Sequence, residues 1–271
     1  MLLIAVMVFV YSNKCEARSR RLLDALPHDT RRYLYMKLRP RVMAELMAMR
    51  RPDGADAHFD LSSFERRKSI FFHVPKAAGR SVRKCLFDGR TASHTTVHWY
   101  KLAFSAREYR QYFKFAFVRN PWDRVYSAYT YLEAGGAHAG DALVFQRHLS
   151  LFRGFEDFVL NGLARTVVDS AIVHLLPAVH FLELRPGRGL DLDFVGYFET
   201  FPDDLRYAAA RMGVALDDIP HENPTRGKTA NYLDVYSDEM RAVVSQVYAR
   251  DCAVFGYTFD SFSPIRLNAK G

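Results

Sequence analysis

Three apolar runs punctuate the chain: SIFFHV at 69–74, FKFAFV at 113–118 and LDFVGYF at 192–198. Each is short and nearly continuous, and so predicts a buried strand. Between them the spacing becomes helical. Residues 79–87 follow the first run as a helix, a short helix lies in the irregular stretch up to about 112, and 122–133 follow the second run. FRGFEDFVLNGL at 152–163 predicts a helix burying Phe155, Phe158 and Val159, and PDDLRYAAARMG at 202–213 predicts another, acidic in its first turn and ended by glycine. Ser237 is the expected cap of a helix whose Met240, Val243, Val244, Val247 and Tyr248 share one face, with Gly256 just past its end. Strands alternating with helices predict an α/β fold, a mainly parallel sheet covered by helices on both faces.

Ahead of this pattern, residues 19–51 read as helix interrupted at Pro40, and 52–63 as a linker. The expected organisation is an N-terminal helical extension and linker over 1–63, a domain over 64–262 and a tail over 263–271. The chain opens with MLLIAVMVFVY, eleven apolar residues where a span needs about 20. With no basic stretch before them and no clear small-residue cleavage site, a signal peptide is poorly supported. A membrane-surface anchor, a truncated signal anchor and a docked strand or helix stay open. A cytoplasmic or membrane-associated, peripheral placement is favoured, with a Golgi membrane and an incomplete anchor as the alternative.

Charge sharpens the picture. Residues 1–130 hold 25 Lys and Arg against 11 Asp and Glu, whereas 131–271 hold 13 against 19. The positive half suits a polyanion, although a solvated basic surface has the same composition. Cys15, Cys85 and Cys252 form neither a CxxC pair nor a disulfide framework, and free thiols are expected. No clustered metal ligands are visible, so no metal is expected.

The chemistry concentrates in two motifs about forty residues apart, HVPKAAGRSV (73–82) and FAFVRNPWDRVYSAY (115–129). In each, a strand-type run stops at a cation and helix-type sequence follows. In the first, Lys76 supplies a mobile point charge, while Ala77, Ala78 and Gly79 keep the loop small enough for an anion to touch the backbone. In the second, Arg119 offers a fixed fork of donors and Ser127 a hydroxyl, suited together to one terminal phosphate. Trp122, Tyr126 and Tyr129 read as packing residues, and Arg124 as pairing with Asp123 or another surface carboxylate. Two such sites side by side suit a ligand with phosphates at both ends.

These two motifs resemble, almost residue for residue, the signatures of the PAPS-dependent carbohydrate sulfotransferases of the membrane-associated type. The likeness runs more weakly through FEDFVLNGL (155–163), LDFVGYFET (192–200), HENPT (221–225) and DCAVFGY (251–257). The resemblance implies a P-loop-NTPase-like central parallel sheet. It also implies an enzyme using 3′-phosphoadenosine 5′-phosphosulfate (PAPS) as co-substrate, no metal, and a carbohydrate or glycoconjugate acceptor. By position, Lys76 looks like the contact to the 5′-phosphate and the oxygen bridging to sulfur. The loop and helix start at Ala77, Ala78, Gly79, Arg80, Ser81 and Val82 look like the rest of that cradle. Arg119 and Ser127 look like the 3′-phosphate ligands. Arg226 and Lys228 resemble cationic contacts from a late loop. In the family a histidine between the motifs takes the acceptor proton. Spacing favours His94, with His98 the alternative, while His73 is read as shaping the loop.

Two departures concern the acceptor side or packing: Tyr197 stands where many relatives carry Arg, and Ala178 where a Gln often follows the proline. Rival readings are a nucleotide-dependent kinase or NTPase, for which the GxxxxGK[ST] pattern is missing, a basic polyanion-binding protein, and an inactive relative. The acidic second half and the lack of a basic-aromatic stripe argue against nucleic acid.

Overall fold

The apolar runs do pair. In the computed structural model, which describes residues 23–51, 60–89, 94–169, 172–216 and 230–265, they form a parallel sheet ordered β1 (Ser69–Phe72), β2 (Phe113–Val118), β3 (Phe194–Tyr197). Phe72 is in register with Ala116, and Val118 with Tyr197. The first and third strands are shorter than their apolar runs: β1 stops before His73 and Val74, and β3 begins only at Phe194. Both faces are covered. Ile70, Phe71, Phe72, Phe115, Ala116 and Phe117 are all essentially inaccessible to solvent, as expected where helical crossovers pack on either side of parallel strands.

In chain order the helices are α1 (His28–Leu38), α2 (Pro40–Ala48), α3 (Ser62–Arg67), α4 (Gly79–Leu86), α5 (Val97–Ala103), α6 (Ala106–Gln111), α7 (Pro121–Glu133), α8 (Ala139–Val144), α9 (Phe155–Asn161), α10 (Leu163–Val168), α11 (Ala178–Leu182), α12 (Phe201–Met212), α13 (Asp238–Val247) and α14 (Ala249–Phe255). Caps explain several boundaries. Ser105 and Glu108 form a reciprocal capping box on α6. Pro121 sits at the start of α7, where its missing N–H costs nothing. Gly213 ends α12 in the left-handed conformation and Ser237 Oγ accepts from Met240 N. The last helical region, read from sequence as one helix, is two, because the chain bends at Tyr248.

Two apolar clusters result. One joins the sheet to α2, α4, α5 and α12, and the other packs α7 against α9 and α13 around Trp122, Tyr129, Phe158 and Val244. Trp122, Tyr126 and Tyr129 are buried in that second cluster. Phe158 and Val159 are fully buried, whereas Phe155 is only partly so. The N-terminal helices are docked: Met43 and Leu46 enter the main core. Ahead of them, the Asp24 carboxylate lies 2.6 Å from His98 Nδ1 and its carbonyl accepts from Arg185. Burial resumes at Asp60, ahead of Phe64, and residues 52–59 of the expected linker lie outside the described residues. The apolar start at 1–11 and Cys15 lie outside them too. Among the described residues no helix is long and apolar enough to cross a membrane, and Cys252 is a free thiol.

Candidate active site

Because the three strands run parallel and adjacent, their carboxyl ends open at one edge of the sheet, where open α/β proteins bind ligands. The loop after β1 carries Lys76, β2 delivers Arg119 directly, and Phe198 and Glu199 follow β3. The two motifs meet: Arg119 Nη1 donates to the Lys76 carbonyl at 3.2 Å. The Arg119 guanidinium lies 4.0 Å from the Phe198 ring centre, and Asn120 N donates to Glu199 Oε1 at 2.8 Å.

The first loop has the backbone geometry of a turn that can receive an anion. Lys76 and Ala78 both occupy the left-handed region, at φ of 63° and 59°. That costs a non-glycine residue about 1–3 kcal/mol and is tolerated at ligand-binding turns. Such turns direct successive N–H groups into a concavity. Ala78 is the N-cap of α4, and no side chain caps that helix among the described residues, so its first-turn N–H groups are left for a ligand. Gly79 is required for a second reason beyond backbone access. A Cβ there would fall 1.8 Å from His73 Nε2, so the glycine makes room for a buried imidazole. Arg80 is exposed, and Ser81 is buried in the first turn. Val82 departs from expectation: its N–H donates to the Ala78 carbonyl at 3.1 Å and its side chain lies in the core, leaving it nothing to offer a phosphate.

Above this loop sits a cluster of rings. The Lys76 ammonium rests 3.8 Å from the centre of the Tyr131 ring. Removal from water, with Arg119 and Arg80 nearby, lowers its pKa to about 7. Tyr131 Oη donates to Asp141 Oδ2 at 2.6 Å, and Ala137 N donates to the same oxygen. Burial opposes ionisation of Asp141, but those two donors outweigh it and hold the carboxyl below its ordinary range. Gly136 allows this approach, since a Cβ on it would meet Asp141 Cβ at 2.1 Å.

His94 packs against His73 at a tilt, ring centres 4.4 Å apart, and its Nδ1 lies 3.3 Å from the His73 carbonyl. A carbonyl accepts only, so Nδ1 carries the proton and Nε2 is the basic atom. Burial, followed by the Lys76 charge, lowers the His94 pKa to about 4, so the imidazole is neutral over the physiological range. His174 lies edge-on to His94 at 5.5 Å and next to Tyr131 at 5.3 Å. Burial and the neighbouring His94 lower its pKa to about 3.

Several sequence expectations are redistributed. His98 is buried and bound to Asp24, among the N-terminal helices; it is a core histidine. Arg124 is not a surface residue. It is buried, pairs with buried Asp251 at 3.6 Å and donates to the His174 carbonyl. Asp123 pairs instead with Arg119, whose Nε and Nη2 approach its Oδ2 at 2.8 and 2.7 Å. Arg119 is therefore an oriented cation sharing its charge with a carboxylate. Ser127 shares the Asp123 face of α7 and is fully buried. Tyr197 and Ala178 both serve packing: Tyr197 Oη donates to the Phe255 carbonyl, and Ala178 N donates to Asp251. Arg226 and Lys228 lie outside the described residues. Tyr131, Asp141 and His174 were not singled out in the sequence. The only linear hint was the glycine pair at 135–136, whose left-handed turn (φ 87° and 67°) carries the chain back over the site.

Among the described residues no group of His, Cys, Asp and Glu is arranged to hold a metal ion. No curated protein and no solved structure matches the chain. A family model, that of the sulfotransferase family, matches residues 60–258, a span that includes both motifs, all three strands and the histidine cluster. The chain belongs to the sulfotransferase family.

Proposed function

We propose that this sulfotransferase moves a sulfuryl group from PAPS to a hydroxyl of a carbohydrate acceptor. One observation carries the reading. A desolvated lysine, a helix start with no side-chain cap among the described residues, and a histidine whose Nδ1 is turned to a carbonyl lie together at one strand edge, an arrangement suited to in-line transfer between oxygens.

The residues present fit the donor. First-turn N–H groups of Gly79, Arg80 and Ser81, with Lys76, suit the 5′-phosphosulfate; Arg119, held by Asp123 and Phe198, suits the 3′-phosphate. In the transfer step the bond from the acceptor oxygen to sulfur forms as the bond from sulfur to the 5′-phosphate oxygen breaks. His94 Nε2 takes the hydroxyl proton. The departing phosphate oxygen keeps the electron pair, and Lys76 meets the growing negative charge.

The test is incubation with radiosulfur-labelled PAPS and a panel of sulfate-free glycans, following label on glycan and release of the bisphosphate nucleotide. Its pH profile is a sharper check. Lys76 binds the donor as a cation, so kcat/KM for PAPS is expected to fall above about pH 7, up to tenfold per unit. His94 acts neutral, so the acid limb lies near pH 4. Bound phosphates restore the lysine proton, so kcat at saturating donor stays flat well above pH 7. A kcat/KM that keeps rising above pH 7 contradicts the role given to Lys76.

A further inference from the structure

We infer that His174 is a second acceptor-binding residue, holding a hydroxyl next to the one that His94 deprotonates, so that the preferred acceptor presents two neighbouring hydroxyls. The inference rests on the sulfuryl-transfer reading and narrows its substrate class.

The position of His174 is held from behind. Arg124 Nη1 donates to the His174 carbonyl at 3.3 Å, Tyr248 Oη donates to the Leu175 carbonyl at 2.6 Å, and Asp251 accepts from Ala178 N and Val179 N at 2.7 and 3.0 Å. Arg124, Tyr248 and Asp251 are all buried. Burying an ion pair is costly and adds little stability by itself. Here it fixes the short turn at Val173–Leu175, and that turn presents one polar side chain to the site.

That side chain has no hydrogen-bond partner among the described residues, although its ring packs against His94 and Tyr131. A half-buried imidazole left in that state is suited to a ligand. Its charge state selects the chemistry. Kept neutral by burial and by His94, it offers one donor and one acceptor, matching a hydroxyl and not a carboxylate or sulfate. The ring centres of His94 and His174 are 5.5 Å apart. With hydrogen bonds of about 2.8 Å to each hydroxyl, two rings this close meet oxygens on adjacent carbons.

The experiment uses PAPS with methyl β-D-galactopyranoside, methyl β-D-glucopyranoside and the monodeoxy counterparts of each, on the unaltered protein, His174→Ala and His174→Asn. In His174→Ala the acceptor KM is expected to rise about tenfold, one hydrogen bond's worth, with the PAPS KM unchanged. His174→Asn, whose amide keeps a donor and an acceptor, recovers most of that loss. Removing the neighbouring hydroxyl from the acceptor costs the unaltered protein about tenfold and costs His174→Ala nothing further. Equal sensitivity of both proteins to the deoxy acceptors overturns the inference alone. If His174→Ala does not fold, the Asn variant and the deoxy series decide. Failure of the unaltered protein to sulfate any acceptor overturns the transfer reading, and this inference with it.

Discussion

Replacing Lys76 by alanine is expected to lower turnover roughly a hundred- to a thousand-fold, the effect of removing one preorganised donor from a developing oxyanion. The fold should be unharmed. The ammonium is drawn out of water against the Tyr131 ring, and its lowered pKa shows that the folded protein resists that charge. Losing it therefore leaves the melting temperature unchanged or slightly raised. The left-handed φ of 63° at Lys76 is kept by alanine at the same cost. Steady-state kinetics and a thermal melt on one preparation check both halves. A variant with more than a third of the normal kcat would remove Lys76 from the chemistry.

The second large effect separates two histidines that the sequence left as alternatives. His94→Ala is expected to cost roughly a hundred- to ten-thousand-fold in kcat, the range for a lost general base, with little change in stability, because the ring sits at the site and not in the core. His98→Ala should do the reverse. His98 is buried against Asp24, which also faces Arg31, and removing one partner of a buried hydrogen bond costs about 1–3 kcal/mol, while the molecules that remain folded turn over normally. Chemical denaturation and kinetics of the pair give the answer. Normal kcat in His94→Ala together with a collapsed kcat in folded His98→Ala would reverse the assignment.

What could be read in the chain, and what could not, follows from how each feature is encoded. The strands were legible because SIFF and FKFAFV are short, nearly continuous apolar runs suited to a doubly covered sheet. The strand–loop–helix around Lys76 was legible because its parts are contiguous: a strand, a lysine, small residues and a helix. The rest of the site is assembled across the chain. His174 arrives nearly a hundred residues after Lys76, and Asp141 reaches Tyr131 only because Gly136 has no side chain. Arg124 was misread because local spacing offered Asp123 as its partner, whereas the actual partner, Asp251, is brought by α14. The single helix predicted to end just before Gly256 is split in two, because an apolar face continues smoothly across the bend at Tyr248, whose hydroxyl donates to the Leu175 carbonyl. In each miss a tertiary partner outweighed a neighbour in sequence.

The central claim is that the Lys76 loop and Arg119 grip two phosphates of one nucleotide. Calorimetric titration with 3′-phosphoadenosine 5′-phosphate and with adenosine 5′-phosphate, on the unaltered protein and on Arg119→Ala, tests it most directly. The bisphosphate should bind the unaltered protein tighter by about 1.5–3 kcal/mol, the worth of a charged hydrogen bond. Arg119→Ala should erase that difference while leaving the monophosphate unaffected. Equal affinity for the two nucleotides in the unaltered protein, or binding of neither, would contradict the claim.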